Sequence, residues 1–111
     1  MNTVNKIQLI GNLGKDPEIR TFEKGGKLAK FSMATRDYYK NRKGETVEDT
    51  QWHFVSAWDK LADRIEAEFK KGSYVNIEGK IVTRKYEDKA GNIKYITEIV
   101  AQEAALQNKA S

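Results

Sequence analysis

The chain's one histidine, His53, lies in the stretch Trp52-His53-Phe54-Val55-Ser56-Ala57-Trp58, which also holds both tryptophans. An imidazole can act as a general base or bind a metal, so its companions decide its chemistry. A stable zinc site normally takes about three or four suitable ligands, whereas this chain has no cysteine and no second histidine. The carboxylates fall into neither the calcium-loop nor the zinc-protease pattern. No spacing singles out a nucleophile for a histidine base. Gly11-Asn12-Leu13-Gly14-Lys15-Asp16 superficially resembles a phosphate loop. It lacks both glycine signatures of such loops and is not followed by a helix, so it reads as a bend at a strand end. The residue types support no catalytic residue, no metal and no cofactor.

The aromatic residues offer other chemistry. A ring stacks on an unpaired nucleobase for roughly 1 to 3 kcal/mol per base, and neighbouring cations attract the phosphates, without any sequence code. In a strand over 52–58, Trp52, Phe54, Ser56 and Trp58 share one face and His53, Val55 and Ala57 the other. The second set is the more compact and suits a core. Period two alone leaves the tryptophans three placements: accessible platforms, covers over the end of a core, or contacts between subunits. Tyr38 and Tyr39 stand among Arg36, Lys40, Arg42 and Lys43, and Tyr86 follows Arg84 and Lys85. Glu45, Glu48 and Asp49 make that loop less uniformly attractive to an anion.

These residues need a scaffold. Asn5–Leu13 reads as a strand loosened at Gly11, Pro17 separates it from Glu18–Glu23, and Gly25-Gly26 is a turn. In the next strand Ala29, Phe31 and Met33 face a core, with Lys30, Ser32 and Arg36 opposite. Residues 37–50 are expected to form a long hairpin loop whose flanks extend as ribbon. Asp59 is expected to cap a helix bearing Leu61, Ala62, Ile65 and Phe69, with Gly72 as its stop. A strand from Tyr74 with Val75, Ile77 and Ile81 on one face, a turn at 88–92, and a last strand with Ile93, Tyr95 and Ile99 on one side complete the chain. One helix and five strand-like segments predict an all-β barrel, closed to hide its edges. The final Gln102–Ser111 is expected to prolong the last strand briefly and then fray.

A length of 111 residues fits one domain. With 39% hydrophobic and 32% charged residues, the chain has the composition of a folded domain with a charged surface. The net charge of +4 suits an anionic partner without specifying one. The absence of cysteine suits a reducing compartment, and no apolar run is long enough to cross a bilayer. A cytoplasmic location, without a membrane partner, is the expectation.

Taken together, VNKIQLIGNLGKDPEIR, FSMATRD, TQWHFVSAW, KLAD and KKGSYVNIEGKIVTRKYEDKAGNIKYITEIVA closely resemble the bacterial and bacteriophage-type single-stranded DNA-binding proteins. The resemblance spans about residues 1–103 and its ordered motifs are highly specific. It implies an OB fold, a five-stranded barrel with one helix and extended hairpins over 1–105, followed by a short flexible end over 106–111. It also implies a homotetramer that binds single-stranded DNA without catalysis, at the nucleoid, during replication, recombination and repair.

By that resemblance the stacking positions are Tyr39, Trp52, Trp58 and Tyr86. Tyr39 and Tyr86 stand where the family often has tryptophan, and Trp58 where phenylalanine is common. His53 is implied to lie toward a subunit interface. Phe54 replaces a commonly basic residue, which leaves it two roles: a further stacking ring, or a hydrophobic cover for Trp52. For the phosphate path the candidates are Lys6, Arg36, Arg84 and Lys85, with Lys15, Lys43 and Lys94 beside them. Many family members continue through a linker into an acidic tip that recruits replication and repair proteins; this sequence ends QEAALQNKAS, without that tip. A primosomal or other OB-type interaction module is the competing reading, and an enzyme the remote one.

Overall fold

The computed structural model describes residues 4–108. Six strands and one helix follow in the order β1 Ile7–Leu13, β2 Glu18–Thr21, β3 Lys27–Lys40, β4 Thr46–Trp58, α1 Asp59–Glu68, β5 Tyr74–Glu87 and β6 Ile93–Leu106. The sheet order β1-β5-β6-β4-β3-β2 closes because β1 also pairs with β3, at Asn12 with Ala34 and Leu13 with Met33. The result is the five-stranded OB-type barrel expected, with β2 riding on the first half of β3 through pairs such as Glu18 with Lys30.

The inward side chains alternate as a half-wet strand requires. Ala29, Phe31 and Met33 of β3 meet Ala57, Val55 and His53 of β4, and all but His53 are buried. Helix α1 covers this core with Ala62 and Ile65, and Phe69 beyond its end packs edge-on against Phe31 at 5.9 Å. Two strand crossings are possible only at glycine. A Cβ on Gly11 would sit 2.0 Å from the Ala34 carbonyl oxygen, and one on Gly79 would sit 2.2 Å from that of Val100. Gly79 also marks a register shift between β5 and β6.

Four expectations are revised. Residues 37–50 are mostly paired ribbon, from Asp37 opposite Asp49 to Lys40 opposite Thr46. The loop is short because the Asn41 side-chain oxygen accepts from the amides of Lys43 and Glu45 and holds a tight turn. Asp59 does not cap α1: Trp58 is the N-cap without a side-chain hydrogen bond, and the Asp59 carboxylate instead accepts from the Lys27 amide at 3.2 Å. Its φ of 55° places it in the left-handed region, which aspartate tolerates better than most residues. Ile81, Ile93 and Tyr95 keep the face expected of them but are exposed: Ile81 lies past the Gly79 register shift although its partner Ile99 is in the core, and Ile93 and Tyr95 stand further out on the β5–β6 ribbon. Finally, β6 continues to Leu106, opposite Val75, with Ala104 buried and the Gln107 amide donating to Tyr74. Within the stretch expected as a flexible end over 106–111, Leu106 is therefore still in the strand and Gln107 is hydrogen-bonded, and residues 109–111 lie outside the described ones.

The close crossings make a stability prediction. Gly11→Ala must push β1 away from β3 and is expected to lower the unfolding free energy in urea titration by about 3 kcal/mol. Gly44→Asn, at an open turn position with φ 77°, is expected to change it by about 0.5 kcal/mol or less.

Candidate nucleic-acid interface

The register sets side chains in rows across the outer face of the barrel. Ala34 faces Trp52, Ser32 faces Phe54, Lys30 faces Ser56 and Leu28 faces Trp58. On the neighbouring ribbon Arg84 faces Ile96 and Tyr86 faces Lys94, on the same outer side as Glu98. The parallel pairing of Ser56 with Val100 joins the two ribbons into one surface. The β3 partners of Trp52 and Phe54 are small, so the rings stay uncovered at 55% and 56% exposure.

The β1–β2 connection supplies the bed of Trp52. A Cβ on Gly14 would lie 2.6 and 2.8 Å from its Cζ3 and Cη2 atoms. Gly14, Lys15, Ser32, Trp52 and Phe54 line one shallow hollow of about 340 Å³. A second hollow beside Phe54 adds Lys30, Glu18, Ile96 and Glu98. Phe54 also borders a third hollow, with Trp52 and His53, and leaves Trp52 half-exposed rather than covering it.

Trp58 continues the surface with different support. Its ring stacks on Phe22 at 5.9 Å and 22° between planes, and the Arg20 guanidinium lies 6.0 Å from the Phe22 centroid. Neither Phe22 nor Arg20 is among the site residues expected from sequence, nor are Gly14 and Lys30. A signal existed for Arg20 and Phe22, which alternate at period two beside the Gly25-Gly26 turn.

The structure gathers some expected residues and separates others. Trp52, Phe54, Trp58, Tyr86, Arg84, Lys94 and Arg36 share the outer face, and Lys15 borders it. By the β3–β4 register Tyr38, opposite Glu48, is on the Trp52 side of the ribbon; Tyr39, opposite Val47, is on the His53 side. Lys85, opposite Tyr95, likewise points away from Arg84 and Tyr86. Lys43 sits in the loop between β3 and β4, and Lys6 shares a separate hollow with Glu78 and Glu103. Three of the cations already have carboxylate partners. Arg36 Nε is 3.1 Å from Glu48, Lys94 Nζ is 3.5 Å from Asp88, and Arg84 pairs with Glu98. Asp88 is held below the usual carboxylate range chiefly by the Asn92 amide, which fixes the turn next to Tyr86 and Lys94. Among the described residues, Lys15, Lys30, Lys43 and Arg20 form no ion pair.

The family model of the single-strand binding proteins matches residues 4–107. This chain belongs to that family. It is 46% identical over 98 residues to single-stranded DNA-binding protein 1 of Chlorobaculum tepidum, covering 87% of this chain and 60% of that protein. The chain therefore spans about three fifths of that relative's length. Among solved structures it is similar to the Plasmodium falciparum SSB in complex with ssDNA, at a TM-score of 0.89 and 32% identity over 97% of this chain and 98% of that one. A deletion mutant of the single-stranded DNA binding protein from Thermus aquaticus shares the fold, with a TM-score of 0.82 and 22% identity over 95% of this chain and 51% of that one.

His53 faces away from these rings, half-buried, with Nε2 2.9 Å from Thr35 Oγ1. Burial lowers its pKa below the ordinary 6.5. As pH falls the unfolded chain therefore takes up this proton first, so stability drops below about pH 6.5 and levels off beneath the folded-state pKa. The thermal midpoint is expected to fall between about pH 7.5 and about pH 5.5 in the parent. His53→Gln should remove most of that slope; an equal slope in both proteins would assign it to another group.

Proposed function

We propose that this chain binds single-stranded DNA with little regard to sequence and, without catalysing a reaction, covers and protects it during replication, recombination and repair. The observation that carries this reading is the continuous outer surface on which Trp52, Phe54 and Trp58 lie exposed between basic side chains. Membership of the single-strand binding protein family supports it, as does likeness to a family member solved with ssDNA. The division of labour follows from the chemistry. Rings receive splayed bases by their faces, which every base possesses, and cations hold the phosphates and make affinity fall with salt.

The same reading includes self-association as a homotetramer. Support comes from the opposite side of the ribbons, where His53 lies on the face shared by the exposed Ile81, Ile93 and Tyr95. Sedimentation velocity at several concentrations is expected to show an assembly in the parent and smaller species in His53→Glu. A monomer at every concentration would refute the assembly and leave DNA binding to stand alone.

Titration with poly-dT at low salt is expected to quench tryptophan fluorescence saturably; no quenching would refute DNA binding. Trp52→Ala should weaken binding to oligonucleotides of each base by about 1 to 3 kcal/mol while unfolding stays cooperative.

Gly14→Ala tests the bed beneath that ring. A methyl at this position must displace the indole, so affinity is expected to fall toward that of Trp52→Ala although no DNA-contacting side chain is removed. An unchanged affinity would mean that the ring tilts aside freely.

A further inference from the structure

The stack of Phe22 on Trp58 lies at one end of the exposed aromatic row, and it is built rather than incidental. Phe22 is fixed in the tight turn after β2, its amide donating to the Gly26 carbonyl at 3.0 Å and its carbonyl accepting from the Gly25 amide at 3.0 Å. Gly26, with φ 106°, gives the turn a left-handed backbone that favours glycine and closes it beside the Phe22 ring. Trp58 is followed by Asp59, with φ 55°, whose carboxylate accepts from the amide of Lys27, the residue opposite Thr21 at the end of β2. The two rings are nearly parallel at 22° with centroids 5.9 Å apart, an offset arrangement in which each keeps part of its face open. The exposures of 38% for Phe22 and 45% for Trp58 show that the stack leaves both accessible.

Arg20 completes the group. The β2–β3 register places it opposite Leu28, which in turn faces Trp58, so all three occupy one row across β2, β3 and β4. Its guanidinium carbon lies 6.0 Å from the Phe22 centroid, and among the described residues it has no carboxylate partner. This differs from Arg36 and Arg84, whose charges are already paired. A cation held over a ring keeps its edge free to hydrogen-bond an anion, and a guanidinium matches a phosphate in geometry.

We propose that Arg20, Phe22 and Trp58 form a nucleotide subsite on the β2 edge, in which the paired rings receive one base and Arg20 its phosphate. Phe22 thereby widens the stacking platform at Trp58 toward the β2 edge and positions the Trp58 ring. The subsite rests on the reading of this chain as a single-stranded DNA binder.

The test uses a Trp52→Phe background, in which Trp58 is the sole tryptophan reporter, and oligo-dT of increasing length. Phe22→Leu retains apolar bulk against Trp58 but loses the stacking face; Arg20→Gln retains size but loses charge. Phe22→Leu is expected to lower affinity for long oligonucleotides about fivefold or more and to reduce the Trp58 quenching amplitude. Arg20→Gln is expected to reduce the slope of log affinity against log salt by about 0.7, the share of one phosphate on a single strand. Both effects should vanish with oligonucleotides too short to reach β2. Unchanged affinity and slope at every length, in proteins that still bind poly-dT, would overturn the subsite while leaving DNA binding intact. A Phe22→Leu variant that melts earlier yet binds equally well would overturn it too, reducing Phe22 to a packing residue. Failure of the unmodified protein to bind poly-dT would instead remove the reading on which the subsite rests.

Discussion

Closure of the barrel depends on two places where backbones pass too closely for any side chain. At Gly11 the first strand crosses under the Ala34 carbonyl, and at Gly79 the fifth crosses under that of Val100. A small barrel must turn its strands sharply to close, and glycine lets neighbouring backbones approach at the corners. The enclosed volume is correspondingly small, and its lining includes Ala29, Ala57, Ala101 and Ala104 among the larger Phe31, Met33 and Ile77. Strands of 13 and 14 residues exceed what so small a core can cover. Their excess runs out as the β3–β4 and β5–β6 ribbons, each with two solvated faces. The outer surface is therefore a by-product of closure: the side chains near the barrel are held rigidly, while those further along the ribbons are held only by pairing with one neighbour.

That distinction orders the aromatic residues. Trp52, Phe54 and Trp58 sit on strand β4 where it is backed by the core residues Val55 and Ala57, and small neighbours at Gly14, Ser32 and Ala34 keep the first two rings clear. Tyr86 and Tyr38 stand on the ribbons, beyond the packed core. Rings on the barrel wall are preorganised, and binding costs them little lost side-chain freedom; rings on the ribbons must be ordered as the ligand arrives. The charges follow a similar logic. Arg36 and Glu48 are an exposed pair, worth about 0 to 1 kcal/mol, so a phosphate can replace the carboxylate at small cost. Glu98 is different, because its side chain is only 14% exposed and it remains beside Arg84 whatever Arg84 contacts. It tempers the positive field at the centre of the outer face.

Much of this is legible in the sequence. Alternation over 52–58 separated the tryptophans from His53, helical spacing placed Ala62, Ile65 and Phe69 against the core, and one helix among strands of this length pointed to a closed barrel. What remained hidden is non-local. Whether Tyr38 or Tyr39 joins the Trp52 face depends on the pairing register of the β3–β4 ribbon, and a change of one residue in its loop would exchange them. The Phe22–Trp58 stack joins residues far apart in sequence through a register that only the folded β2–β3–β4 sheet defines. Asp59 misled for a related reason: as a local signal it reads as a helix cap, but the Lys27 amide, 32 positions away, takes its carboxylate. Gly14 looked like a bend residue, and its contact with Trp52 depends on how the β1–β2 connection folds over β4.

By the resemblance, Phe54 stands where a basic residue is common, and on the proposed DNA-binding reading that exchange alters the balance of the surface. Along a strand, residues two apart are separated by about 6.8 Å, roughly twice the contact thickness of a flat ring. Trp52 and Phe54 therefore stand at a spacing suited to one planar group between them, over a floor of Gly14 and Ser32 and beside Lys15. A basic residue at this position would add a phosphate contact and steepen the salt dependence. A ring adds a contact with a base, which depends little on salt. On the proposed reading the exchange moves binding energy from the screened electrostatic component toward stacking. It does so on the barrel wall, where the ring is already held in place before a strand arrives.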